Sequence, residues 1–191
     1  MSLITYEFNR ADNAGEIRQF RSTLPIMQKH YQGKNEVVLY LSGKLNINGV
    51  DIDGLIIKED AIVLVEFKNY AGEIKAQANG DWFHGSERIN GGAKKKDGSN
   101  KTVFEQLKIN RRALRDGLSR YIKNENACNN IQALVVFSSI SSLKMDEYRK
   151  EYNSSRVLIH YSAIVILWHS KLYEVLLHVN SSLACRKLHS I

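Results

Sequence analysis

"DIDGLIIKEDAIVLVEFKNYAG", residues 51–72, decides how this chain is read. Two β-rich runs, GLII at 54–57 and AIVLV at 61–65, flank a short charged break and predict a β-hairpin. Asp51 and Asp53 open the first run, and Glu66 and Lys68 close the second. Side chains alternate along a strand, so Asp51, Asp53, Leu55 and Ile57 are expected on one face of the first strand. Ile62, Leu64, Glu66 and Lys68 share a face of the second. A two-residue loop at 59–60 and a four-residue loop at 58–61 give the same register: Asp53 faces Glu66, and Asp51 faces Lys68. A three-residue loop at 58–60 would set Asp53 opposite Val65, which needs a bulge or a charged face turned to the core. Directly opposed residues have Cβ atoms about 4.5–5.5 Å apart. Two carboxylates that close repel unless a cation lies between them. Mg2+ fits, because it takes carboxylate oxygens at about 2.0–2.1 Å and keeps several waters. Lys68, on the same face, would point at those waters. The competing reading is a solvated hairpin end in which Asp51 and Lys68 form a surface ion pair.

The flanking segments predict the rest of the fold. Residues 11–31 read as a helix capped by Asp12 or Asn13, with Ile17, Phe20, Leu24, Met27 and Tyr31 at helical spacing. Pro25, the sole proline, should kink or split it. Residues 36–41 read as a strand, GKLNING at 43–49 as a turn, alone or with a short strand, and 72–78 as a further strand. Residues 79–100, rich in glycine and charge, read as a long loop. Residues 101–123 form the clearest helix, with Val103, Leu107, Leu114, Leu118 and Tyr121 as its apolar stripe. Residues 131–139 and 156–161 read as strands. Residues 162–178 read as a C-terminal helix, although the β-branched run AIVILW suits a strand as well. The order predicts an α/β domain with a mixed sheet flanked by helices.

With 191 residues and no proline-rich linker or repeat, the chain is expected to be one domain. Its longest apolar runs are too short to span a bilayer. The opening MSLITYEFNRADN lacks the regions of a signal peptide. Cys128 and Cys185 are isolated, so neither a zinc site nor a structural disulfide is expected, and the reducing cytoplasm is the expected location. The net charge is +7. Lys94, Lys95, Lys96, Lys101, Lys108, Arg111, Arg112, Arg115, Arg120 and Lys123 stand against Asp97, Glu105 and Asp116, so this one segment carries the whole excess. Concentrated basic charge points to a polyanion, nucleic acid first and anionic membrane second. A solvated helix face is the alternative. The six histidines form no metal spacing, with only His84 in the loop worth watching. No P-loop, GxGxxG or GxSxG occurs.

Taken in order, several motifs resemble a family: Gly15-Glu16 early in the first helix, Ile52-Asp53, Val65-Glu66-Phe67-Lys68-Asn69, Gly72-Glu73-Ile74, Trp82, and Gln106 in VFEQLKINRRAL. This pattern resembles the nuclease-related NERD domain of the PD-(D/E)xK nuclease superfamily, with a motif core over about residues 11–140. Where that family often has Asn-Pro ahead of the glutamine helix, this chain has GSNKTV. The resemblance implies a restriction-endonuclease-like fold and Mg2+- or Mn2+-dependent cleavage of phosphodiesters, DNA favoured. It implies a metal held by Asp53, Glu66 and a backbone carbonyl near Phe67, with Lys68 orienting the attacking water. Glu16 would add a ligand or be an ordinary first-turn acid favoured by the helix dipole. Gln106 would position water or Lys68. The nucleic-acid contacts expected from the basic segment are Lys94, Lys95, Lys96, Lys101, Lys108, Arg111, Arg112 and Arg115. At 100° per residue Gln106 lies on one flank of the apolar stripe, and Lys108, Arg111, Arg112 and Arg115 on the other. The basic ridge therefore need not border the metal. The expected partner is nucleic acid and not a membrane, with a second copy of the chain as a further candidate. The alternative function is a non-catalytic nucleic-acid-binding module on the same fold; an anionic-membrane or protein-interaction domain ranks third.

Overall fold

The computed structural model describes residues 3–8, 13–34, 37–58, 61–77, 80–121, 128, 131–145 and 164–168; side chains are described throughout these except at 44, 93, 139–145 and 164–168. The elements are β1 (Leu3–Phe8), α1 (Ala14–Tyr31), β2 (Val38–Ile47), β3 (Val50–Ile57), β4 (Ile62–Ala76), β5 (Trp82–His84), β6 (Glu87–Lys94), β7 (Asn100–Thr102), α2 (Val103–Leu118), β8 (Ile131–Met145) and β9 (Ile164–Trp168).

The central hairpin adopts the register expected from its sequence. Gly54 pairs with Val65, Leu55 with Leu64, Ile56 with Val63 and Ile57 with Ile62. The Lys58 N–H donates to the Ala61 carbonyl at 2.9 Å, closing the four-residue loop at 58–61. On the other side β2 and β3 are antiparallel, joined through Asn48 and Gly49 at φ 50° and 76°. Two left-handed residues in a row are what a tight hairpin needs to follow strand twist, and asparagine and glycine tolerate them best. β1 adds parallel to β2. β8 runs parallel to β4, and β9 parallel to β8. The far half of β4 pairs with β5, then β5 with β6 and β6 with β7, all antiparallel. The mixed sheet carries one helix on each face, an α/β architecture consistent with the restriction-endonuclease-like class.

Alternation along β4 and β8 builds two cores. Leu64, Val135 and Phe137 pack with Val103, Leu107 and Leu114 of α2. Val63, Val65, Phe67, Leu134 and Val136 pack with Phe20, Met27 and Tyr31 of α1. The helices start where their caps dictate. Asn13 accepts the Gly15 N–H at 2.8 Å. Thr102 and Glu105 form a reciprocal capping box, with bonds of 3.0 and 2.9 Å.

Several local expectations are corrected. Helix α1 runs through Pro25 as one assigned element and is not split. Residues 72–76 continue β4 and do not form a strand of their own. The expected loop at 79–100 holds β5 and β6, with β7 starting at its end. Gly91 there serves close packing: a Cβ on it would come within 2.3 Å of the Thr102 carbonyl oxygen. IVILW, residues 164–168, forms strand β9, because β8 offers a parallel partner that suits its β-branched residues. The expected strand at 156–161, and the expected C-terminal helix beyond Trp168, lie outside the described residues. β1 was not anticipated at all.

Candidate active site

Strand pairing between β3 and β4 is recorded only as far as Gly54 and Val65, and side chains then bridge the two strands. Asp53 Oδ2 accepts the Phe67 N–H at 2.8 Å. Lys68 Nζ donates to Glu66 Oε1 at 2.8 Å, with side-chain exposures of 12% and 8%. Asp53, Glu66 and Lys68 thus lie together inside β3 and β4, just beyond the Gly54–Val65 pair, with Glu66 turned toward α2. Burial pushes the Asp53 carboxyl well above the usual range; Glu66 and then Glu16 add to the rise, while the Phe67 N–H and Lys68 oppose it. Burial alone would lower Lys68, but Glu66, Asp53 and Tyr70 outweigh it and hold the ammonium above its ordinary value. Lys68 therefore stays charged.

Asp51 touches solvent and does not face Lys68. It pairs with Asn46 on β2, and its Oδ1 accepts the Asn46 Nδ2–H at 2.8 Å, exposed to solvent. A surface ion pair between Asp51 and Lys68 is not what forms. The reason is a shift of register in β2 between Ser42 and Leu45, across from Asp53-Gly54. A bulge breaks strict alternation. Ile52 and Leu55, three residues apart, consequently share the α2-side core, and Asp51 turns outward.

Two residues that the sequence reading passed over complete the site. Asn110 of α2 is fully buried; its Nδ2 lies 3.4 Å from Glu66 Oε2 and 3.5 Å from the Asp51 carbonyl oxygen. Its signal was present: a polar residue at helical spacing inside the stripe of Val103, Leu107 and Leu114. Gln19 of α1 is buried behind the site, and its Nε2 donates to the Lys68 carbonyl at 3.0 Å and the Val136 carbonyl at 3.2 Å. It serves β4 beside the irregularity in the β4–β8 pairing after Lys68. Nothing in its spacing announced that role. Gln106 makes no hydrogen bond to Lys68 among the described residues. Its Nε2 donates to Asn110 Oδ1 at 2.8 Å, and its Oε1 is buried without a protein partner among the described residues. Glu16, in the first turn of α1, bears on Asp53 through its charge.

A divalent cation suits this donor set. Three carboxylates meet the influence of one ammonium there: Glu66 and Glu16 bear on Asp53, and Lys68 opposes them. Two carboxylates are enough for Mg2+, which completes its shell with water and substrate oxygens. In an extended strand the carbonyl of a residue leaves on the same edge as its N–H. Phe67 therefore offers its carbonyl on the Asp53 side. Among the described residues, no group of three or more His, Cys, Asp or Glu is placed to hold a metal ion, so the two carboxylates would need water and substrate oxygens beside them.

The basic residues are spread over other surfaces. Lys94 and Lys96 are exposed around the turn between β6 and β7, and Lys95 pairs with Glu105 at 3.1 Å. Lys101 is half-buried in β7. Lys108 lies over the Phe104 ring at 5.6 Å, and Arg112 and Arg115 reach Asp116 at 3.7 and 3.3 Å. Arg111 is half-buried, its Nε without a hydrogen-bond partner among the described residues, and burial together with Arg115 lowers its pKa. His84 packs its ring 5.7 Å from that of Tyr70. Among the described residues no helix is long and apolar enough to cross a membrane.

The comparison with curated proteins finds no match, and neither does the comparison with solved structures. A family model, NERD, the nuclease-related domain, matches residues 12–138, from just ahead of α1 into β8. That span is well over half of the chain and contains every residue of the cluster, and the chain belongs to the nuclease-related NERD domain family.

Proposed function

We propose that this chain is a divalent-cation-dependent nuclease that hydrolyses phosphodiester bonds, with DNA as the favoured substrate. The observation that carries the reading is the buried meeting of Asp53, Glu66 and Lys68, in which carboxylates outnumber their one cation. Asp53 and Glu66, with the Phe67 carbonyl, would hold Mg2+ or Mn2+, and Glu16 would strengthen the field or hold a coordinated water. When bound, the cation supplies polarisation of the phosphate and acidification of water. Lys68, kept protonated by its neighbours, would orient the attacking water and stabilise charge that develops on the phosphate. Burial sharpens these effects, because charges act more strongly away from bulk water. Exposed Lys94, Lys96, Lys108, Arg112 and Arg115, with Lys95, Lys101 and Arg111 set deeper, would neutralise backbone phosphates.

A second reading, a non-catalytic nucleic-acid-binding module, is favoured by one observation. Both Glu66 oxygens already have protein donors, Lys68 and Asn110. The test is incubation with supercoiled, linear and single-stranded DNA and with RNA, in Mg2+, Mn2+ or EDTA. Cleavage is expected only with a cation, and Lys68→Ala should abolish it while binding persists. Full cleavage in EDTA or by Lys68→Ala overturns the proposal. Binding without cleavage under every condition supports the second reading.

A further inference from the structure

We propose that Gln106 and Asn110 form a positioning relay that fixes the heading of Glu66, with Asn110 as its central member. The inference rests on the reading of Glu66 as a cation ligand and deepens it.

Asn110 is 0% exposed and sits on the apolar stripe of α2. A buried amide without partners costs about 1–3 kcal/mol. Here both ends of the amide are engaged. Its Nδ2 straddles Glu66 Oε2 on β4 and the Asp51 carbonyl on β3, and its Oδ1 accepts from Gln106 Nε2. Asn110 therefore spans the two strands beyond the last recorded β3–β4 pair, at Gly54 and Val65.

The direction of each bond follows from chemistry. An ionised carboxylate only accepts, so Asn110 must turn its NH2 group to Glu66. Its carbonyl then faces Gln106, which must offer its own NH2 in turn. That order leaves Gln106 Oε1 as the orphaned acceptor. Gln106 thus locks Asn110, and Asn110 holds Glu66 Oε2 with a neutral donor. Glu66 keeps its heading whatever Oε1 meets, whether the Lys68 ammonium or an incoming cation. Partners of this kind orient ligating groups, and losing them typically costs about 10–100-fold in metal affinity or activity.

The test is calorimetric titration of Mg2+ and Mn2+ into the wild-type protein, Asn110→Leu, Gln106→Leu, the double variant and Gln106→Glu, with folding checked by circular dichroism. Asn110→Leu should bind about 10–100-fold more weakly. Gln106→Leu should weaken binding in the same direction, and the double variant should be no weaker than Asn110→Leu, since a relay is not additive. Gln106→Glu preserves shape but presents only acceptors to Asn110, whose amide must then turn its carbonyl to Glu66. Binding should weaken, although an added carboxylate by itself attracts cations. This near-isosteric variant keeps the test decisive if either leucine variant fails to fold. Unchanged or tighter binding by Gln106→Glu, or losses at the two positions that add, overturns the relay. If the wild-type protein binds neither cation, the proposed function fails and the relay with it. If it binds and the variants match it, the relay alone fails.

Discussion

Lys68→Met probes the site without substrate or cation. Lys68 and Glu66 form a 2.8 Å ion pair with side-chain exposures of only 12% and 8%. Removing one partner of a buried pair strands the other, at a cost of about 3–5 kcal/mol. Methionine keeps most of the aliphatic volume, so the loss reports charge and hydrogen bonding and not a cavity. For a chain of this length each kcal/mol moves the melting temperature by about 2–4 °C, so a fall of roughly 6–20 °C is expected in EDTA at neutral pH. Glu66→Gln in the same background removes the stranded charge and should recover much of that fall. The single and double variants with Glu66→Gln alone then make a cycle whose coupling is the strength of the pair. Saturating Mg2+ should also stabilise Lys68→Met, as a substitute counterion for Glu66. The assay is thermal unfolding followed by circular dichroism. A drop under about 2 °C in EDTA, or no coupling in the cycle, would show that Glu66 does not depend on Lys68 and refute the electrostatic picture of the site.

Further outcomes follow from the geometry. Asp53→Asn should be neutral or stabilising in EDTA, because it removes charge from a crowded, desolvated position while its amide oxygen still accepts the Phe67 N–H; it should lose the stabilisation that Mg2+ gives the wild type, about 2.7 kcal/mol at a hundred times the dissociation constant. Asp51→Asn, on the exposed strand end, should change stability by less than about 0.5 kcal/mol and keep the Mg2+ effect; the reverse pattern in unfolding experiments would overturn the assignment of Asp53. The same substitution sets a pH dependence: the folded state holds the Asp53 proton more tightly than the unfolded chain, so this group's stabilisation is full below its ordinary value of 3.8 and is lost as pH rises through the raised value, a slope that Asp53→Asn should remove from metal-free melting curves. For nucleic-acid binding, affinity should fall steeply with salt, by a slope of roughly −0.9 per phosphate neutralised on duplex DNA. Reversing Lys94 and Lys96 to Glu should flatten that slope, whereas Lys95, tied to Glu105, should contribute less; a slope unmoved by the double reversal would assign these lysines to a solvated surface.

The sequence by itself determined the hairpin and what lies at its end. Period-two alternation and a short loop specify register, because a slip of one residue would turn a charged face into the core. That argument placed Asp53 and Glu66 together, as the Gly54–Val65 pairing bears out. It also gave the two helices, whose apolar spacing and caps are local signals, and the mixed α/β class. It missed that Asp51 turns to Asn46, because a bulge in the neighbouring strand is invisible from the strand it disturbs. It failed at β5 because three residues are too few to show alternation, and at β6 because glycine and charge lower its strand propensity; both depend on partners for pairing. Only the tertiary structure could decide the surroundings of the site. Asn110 and Glu66 are 44 residues apart, and Gln19 reaches the Lys68 carbonyl across 49. A buried amide on a helix finds its partner only when that helix docks on the sheet. No local pattern encodes which strand atom it will meet, because docking is set by how two apolar faces pack.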